Sequence, residues 1–264
     1  MGTGSMPLLA TEALTVRFGG VTAVDSLSVG VEPESLTGII GPNGAGKTTF
    51  IDAVSGLVRS SGGINFDGRS IARWRPHQRA KAGLGRTFQG LELFDEFTIE
   101  ENLLIPAESS RRWQILADLV VPRTDRVGKD AVTEALERVG IAHLARAFPS
   151  GLSLGERKLV SIAQALSGGA RLVMLDEPAA GLNSDESLRL GETLRELVQS
   201  HLTVLLVDHD MGLVLSVCDW IHVLDFGKLI ASGPPDEIRR NERVIEAYLG
   251  EHDHAEAMSE AEAR

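Results

Sequence analysis

The run Gly41-Pro42-Asn43-Gly44-Ala45-Gly46-Lys47-Thr48 fits G-x-x-x-x-G-K-[ST], a pattern that ties a strand, a glycine-rich turn and a helix into one unit. Leu36-Thr37-Gly38-Ile39-Ile40 reads as the buried strand before it, and Lys47 to Val58 reads as the helix after it. Glycines let successive N–H groups converge on phosphate oxygens, and the helix N-terminus adds about half a positive charge facing them. Gly41 to Thr48, with Thr49 beside them, are therefore the candidate cradle for ATP or GTP. Lys47 is expected to hold the β- and γ-phosphates. Thr48 offers a hydroxyl to Mg²⁺, a hard cation that takes few protein ligands.

The chain has 264 residues, enough for a large core with a subdomain. Its 26 basic and 37 acidic residues leave a formal charge of −11, which opposes nucleic acid or anionic lipid as a partner through an extended basic surface. The short cluster Arg69, Arg73, Arg75, Arg79 and Lys81 is read as a solvated helix face. Cys218 is alone, so no intrachain disulfide is possible and a reducing compartment fits. No apolar run approaches the ~18 residues that cross a bilayer, so a membrane role calls for another protein.

From Leu8 to Val31, short apolar stretches alternate with turn residues, which predicts a mostly antiparallel sheet. Gly63 to Phe66 continues it, with Asp67-Gly68 as a hairpin turn. From about Thr98 the period becomes helical: Val132, Ala135, Leu136 and Val139 repeat at i, i+3, i+4 and i+7, between an Asp130 cap and a Gly140 terminator. Arg171 to Leu175 and Thr203 to Val207 read as strands buried on both faces, separated by a helix over about Ser184 to Ser200. The fold class is α/β: a phosphate-loop core with a mainly parallel sheet, an N-terminal antiparallel β subdomain and an inserted α-helical subdomain. The boundaries are 1–7, read as a cloning remnant; 8–97 and 168–250, the nucleotide-binding core; 98–167, the helical subdomain; and 251–264, a flexible tail.

Three further constellations follow. The strand Leu172 to Leu175 runs into Asp176-Glu177 at the carboxyl edge of the sheet, where ligands of open α/β folds sit. Asp176 can hold Mg²⁺ through a water, and Glu177 can polarise the water that attacks the γ-phosphate. Thr203 to Val207 likewise runs into Asp208-His209, whose imidazole can bond the γ-phosphate and help fix that water. Leu152-Ser153-Leu154-Gly155-Glu156 opens an apolar helix, a second place where free N–H groups point outwards. Ser153 can also simply cap that helix.

In order, these stretches resemble the nucleotide-binding subunits of ATP-binding cassette (ABC) transporters. The family's phosphate loop, glutamine loop, Leu-Ser-Gly-Gly-Gln signature, Asp-Glu strand end and switch histidine match Gly41 to Thr48, Gln89, Leu152 to Glu156, Asp176-Glu177 and His209. The resemblance implies an ATPase in which a second cassette, homo- or heterodimeric, completes each ATP site. Ser153 and Gly155 would then reach the opposing γ-phosphate, Thr48, Gln89 and Asp176 would hold Mg²⁺, and Ala180 to Asn183 would link the two sites. Phe18 stands where the family stacks an aromatic on adenine; the competing reading is a core position on a strand.

Arg17-Phe18-Gly19-Gly20, Gly85-Arg86-Thr87-Phe88-Gln89, Glu177 to Asn183, Asp208 to Met211 and Val244 to Gly250 are similar to cassettes of branched-chain amino acid and amide importers. That implies membrane permease subunits as direct partners, a solute-binding protein as an indirect one, and a cytoplasmic place on the inner face of the membrane. The sequence departs from the family pattern at Leu154 and Glu156 in the signature, at Gln164 and at Ser184. Two rival readings are a non-transport cassette ATPase of DNA repair or translation, and an ATP-switched binding module with weak hydrolysis. The acidic single cassette opposes the first, and Glu177 with His209 opposes the second.

Overall fold

The computed structural model describes residues 6–87, 93–109 and 124–248; Gln89, residues 1–5 and the 251–264 tail lie outside these. In chain order the strands and helices are β1 (Leu9–Phe18), β2 (Val21–Leu27), β3 (Gly30–Val31), β4 (Leu36–Ile40), α1 (Lys47–Ser55), β5 (Ser61–Phe66), β6 (Arg69–Ser70), α2 (Pro76–Lys81), β7 (Leu84–Arg86), α3 (Ile99–Ser109) and α4 (Thr124–Arg138). There follow α5 (Leu154–Ser167), β8 (Leu172–Asp176), α6 (Ser184–Gln199), β9 (Thr203–Val207), α7 (Met211–Val217), β10 (Trp220–Asp225), β11 (Lys228–Gly233) and α8 (Pro235–Arg239). The chain divides into two compact units, Met1–Trp74 with Leu205–Arg264, and Arg75–Val204.

The first unit carries an antiparallel sheet in the order β2-β1-β5-β6, with β3 on β1. Leu9 and Thr11, then Leu14 and Val16, point inward from β1, and the alternation slips at Glu12-Ala13, both exposed. Ala13 absorbs the slip with φ of 46°, where the pairing with β5 shifts register. This bulge keeps both pairs on the buried face. Asp67 and Gly68, at φ 51° and 70°, close the hairpin from β5 to β6, as Asp-Gly predicts. Beside this sheet, β10 pairs in parallel with β4 and antiparallel with β11. All five residues of β4 are buried, as a central strand requires.

In the second unit β7 and β8 pair in parallel, and every residue of β8 is buried. Helices α3, α4 and α5 pack on one another. Val132, Ala135, Leu136 and Val139 all face inward, together with Ile99, Leu103, Val160 and Ala163. Three helix starts here share one device, the capping box. Ser153 N–H donates to Glu156 at 2.8 Å while Glu156 N–H returns to Ser153 Oγ at 3.3 Å. Asn183 with Glu186 and Thr98 with Glu101 repeat it. The bonds from Thr98 hold the Glu101 carboxyl below its ordinary pKa.

Three local expectations are corrected. Helix α1 stops at Ser55, short of Val58, because Gly56 takes φ of 80° and its N–H turns back to Ala53 and Asp52 carbonyls. Asp130 lies inside α4, which begins at Thr124, so it caps nothing. Arg79 is not on a solvated face; it is 3% exposed, and burial lowers its guanidinium pKa.

One buried titratable group ties β10 to its neighbours. His222 Nε2 lies 3.0 Å from the Gly30 carbonyl, which can only accept, so Nε2 carries the proton. Ser232 Oγ lies 2.9 Å from Nδ1, and Trp220 Nε1–H donates to that same oxygen at 2.8 Å. The neutral ring is thus fully bonded, and burial pushes its pKa below the ordinary 6.5, against a smaller upward pull from Gly30. The unfolded chain takes its proton first as pH falls through 6.5, so this stability is complete above that pH and is lost below it, by at most about 1.4 kcal/mol per pH unit. The stability advantage of the wild type over His222→Gln should therefore shrink from pH 8 to pH 5 in urea titrations. A constant difference would contradict the buried neutral ring.

Candidate active site

In the first unit, β4 delivers the chain into Gly41 and α1 begins at Lys47, with Gly46 at its N-cap. A β-carbon on Gly41 would lie 2.0 Å from the Leu224 carbonyl oxygen, and one on Gly46 would lie 2.4 Å from that of Ala23. Both glycines also have positive φ, 151° and 96°. The loop is therefore set directly against the end of β10 and against β2. Gly227 N–H donates to the Ala45 carbonyl at 3.0 Å, and Asp25 N–H donates to Gly227 at 2.9 Å, which ties the β10–β11 turn to both. Lys47 is 6% exposed, and its Nζ donates to the carbonyls of Gly41 and Pro42 at 2.6 and 2.9 Å. Pro42, Asn43, Gly44, Ala45, Thr48 and Thr49 complete the stretch.

The same unit holds Asp208-His209 just past β9. Asp208 is fully buried; its Oδ1 accepts from Asp210 N–H at 3.0 Å and lies 3.7 Å from His209 Nδ1. Asp210 in turn caps α7 by accepting from Leu213 N–H. The short side chains thus fix the backbone around His209, whose ring is 57% exposed. Phe18 is 53% exposed at the end of β1, which removes the core reading and leaves its ring open to stacking. Sequence reasoning passed over Phe226, 84% exposed at φ of 42° in the turn bonded to Ala45. Its only signal was the Asp-Phe-Gly turn.

In the second unit, β8 ends in Asp176, which is 3% exposed, and the next residue, Glu177, takes φ of 48°. That is a left-handed conformation costing roughly 1–2 kcal/mol for a residue with a β-carbon, and such strain tends to gather at functional positions. Arg86 at the end of β7 reaches Asp176, with Nη2 3.3 Å from Oδ2. No role was assigned to Arg86 from sequence, although it stands three residues before Gln89. The signature stretch packs locally: a β-carbon on Gly155 would lie 3.7 Å from Glu186 Oε1, and one on Gly181 would lie 2.9 Å from Leu154 Cδ2.

The structure thus gathers the phosphate loop, Phe18 and His209 in one unit, and Ser153, Gly155, Asp176 and Glu177 in the other. Glycines of the loop differ in what they tolerate. Gly44, at φ of 80° with open space, should lose about 1–2 kcal/mol of stability on conversion to alanine. Gly41→Ala and Gly46→Ala add a backbone clash of ~1–3 kcal/mol. Urea unfolding of the three variants should rank them so; equal losses would refute the close approach.

The family described as ABC transporter matches residues 24–180, and that described as branched-chain amino acid ATP-binding cassette transporter matches residues 228–254. The high-affinity branched-chain amino acid transport ATP-binding protein LivG of Salmonella typhimurium is 40% identical over 253 residues, covering 94% of this chain and 99% of the relative. BraF of Pseudomonas aeruginosa, described in the same words, agrees to the same extent. Among solved structures, the ADP conformation of MJ1267, an ATP-binding cassette of an ABC transporter, is 30% identical with a TM-score of 0.83, covering 93% of this chain and all of that one. The fold is accordingly the cassette α/β fold, and this chain belongs to the ATP-binding subunits of ABC transporters.

Proposed function

We propose that this chain hydrolyses ATP to energise uptake of branched-chain amino acids or related amides through separate permease subunits. The observation that carries this reading is the agreement with LivG and BraF along nearly the whole chain, joined to the branched-chain family match at 228–254. Among the described residues no helix is long and apolar enough to cross a membrane, which fits attachment to the inner face through the permeases. A second cassette and an external solute-binding protein complete the assembly.

The residues take the following parts. Gly41 to Thr49 wrap the phosphates, Phe18 stacks on the base, and Lys47 exchanges its two loop carbonyls for phosphate oxygens. Thr48, Gln89 and Asp176 offer hard oxygen donors, which suit Mg²⁺, a cation that completes its shell with phosphates and water. Mg²⁺ supplies charge neutralisation of the transferred phosphoryl group. Glu177 accepts the proton of the attacking water, and His209 bonds the γ-phosphate. Ser153 and Gly155 meet the nucleotide of the partner cassette.

A permease contact over Leu91 to Phe97 belongs to this reading, and the described residues 93–97 support it. Phe94 and Phe97 are 52% and 44% exposed, with ring centroids 5.7 Å apart. Fully buried Asn102 holds that stretch in shape: it accepts from Phe94 N–H and donates to the carbonyls of Phe94, Phe97 and Thr98. An aromatic pair kept at the surface by a buried amide is suited to receive an apolar helix end.

Glu177→Gln should keep ATP binding and lose turnover by roughly 10²–10⁴-fold, because the amide keeps the shape without accepting a proton. Lys47→Ala should instead weaken nucleotide binding by on the order of 10–100-fold. Equilibrium titration with ATP beside steady-state hydrolysis separates the two. The transport assignment is tested in vesicles containing the permeases encoded beside this chain: leucine delivered by the solute-binding protein should raise ATPase activity. Stimulation by an unrelated solute alone would overturn it.

A further inference from the structure

Asp176 has a side chain 1% exposed, and a carboxylate so placed stays ionised only beside compensating charge. The parallel pairing sets Arg86 opposite Met174, and Thr87 N–H donates to the Met174 carbonyl at 3.0 Å. Residues 174 and 176 share one face of β8, so the Arg86 side chain needs only to lean along the strand to reach Asp176. Gly85 makes this approach possible, since a β-carbon there would lie 2.8 Å from Ala170 Cβ and 3.3 Å from Ala165 Cβ. The Arg86 side chain is itself 10% exposed, and its Nη2 stands 3.3 Å from Oδ2. Charge-assisted N–H···O⁻ bonds ordinarily run about 2.7–2.9 Å, so this contact is a long member of that class.

We propose that Arg86 is the resident counter-cation of Asp176, and that Mg²⁺ entering with nucleotide takes over this task. The inference rests on the reading of Asp176 as the metal-facing carboxylate. A carboxylate already compensated by a guanidinium attracts a hydrated divalent ion weakly, whereas the triphosphate carries enough negative charge to bring the ion with it. Arg86 is thus a positioning residue that keeps the site from filling with metal alone.

The test uses the full chain without nucleotide, with Mn²⁺ binding followed by electron paramagnetic resonance and melting followed with and without millimolar Mg²⁺. Arg86→Met and the more polar Arg86→Gln should bind Mn²⁺ on the order of tenfold more tightly than wild type. Both should melt on the order of 10 °C lower, with Mg²⁺ recovering part of the loss. Arg86→Lys should keep the wild-type Mn²⁺ affinity. Adding Asp176→Asn to Arg86→Met should restore the melting temperature and abolish the gain in Mn²⁺ affinity. Unchanged Mn²⁺ affinity in the Met and Gln variants, or a melting loss that neither Mg²⁺ nor Asp176→Asn recovers, overturns the proposal and leaves a packing role. A separate titration isolates the underlying reading: Asp176→Asn should lose the Mg²⁺ dependence of ATP binding seen in wild type. If that dependence survives, the metal assignment of Asp176 fails, whatever the Arg86 variants do.

Discussion

A buried ammonium must have acceptors, and Lys47 finds them in the carbonyls of its own loop, Gly41 and Pro42. That arrangement requires the loop to fold tightly round the side chain, which it does by pressing its backbone at Gly41 and Gly46 against two neighbouring strands. The β10–β11 turn is then bonded to Ala45 and to Asp25, so the loop, the parallel strands and the antiparallel sheet of the first unit share one set of contacts. The loop backbone is thus held on several sides before any ligand arrives. Little reorganisation is left to do.

Carboxylates show the same economy. The buried Asp208 accepts a backbone N–H from Asp210, and Asp210 accepts one from Leu213, so two acidic side chains build a turn and a helix start around His209. Asp176 has the Arg86 guanidinium beside it. Glu177, one residue later, is held in a left-handed backbone conformation. Strain at Glu177 beside an Asp176 that faces a guanidinium gives two adjacent carboxylates quite different surroundings, the condition under which similar groups take different tasks.

Much of the fold was legible because its signals are local. Strand β9 has the bounds read from Thr203 to Val207, an uninterrupted aliphatic run. The Asp67-Gly68 hairpin and the inward stripe of α4 follow equally from turn chemistry and period. The errors fall where a local signal had a competitor. Gly56 stopped α1 before the apolar pair Leu57-Val58 could extend it, since an αL cap outweighs two more residues of favourable pattern. Asp130 resembled a cap because acidic residues favour helix starts, yet α4 had already begun at Thr124. Arg79 was burdened with the wrong environment because a run of basic residues carries no information about which one turns inward. For the candidate site, motif spacing names residue types along the chain, but the ion pair of Arg86 with Asp176 depends on the pairing register of β7 and β8, which no such spacing encodes.

Glu156 illustrates how a departure from a family pattern can be absorbed. Read as sequence, a carboxylate in place of glutamine at the start of the signature helix is a charge facing an incoming phosphate. In the structure it accepts the Ser153 N–H at 2.8 Å while Ser153 Oγ receives the Glu156 N–H. Glutamine can close the same box, so the backbone geometry does not depend on which of the two is present. What differs is charge, and here the helix dipole and the bonded N–H partly offset it. Glu186 repeats the arrangement at the start of α6, close to Gly155, so two compensated carboxylates flank one glycine. Any anion approaching Gly155 therefore meets two cap amides, those of Ser153 and Asn183, already engaged by acidic side chains of this chain, and must compete with Glu156 and Glu186 for those two donors.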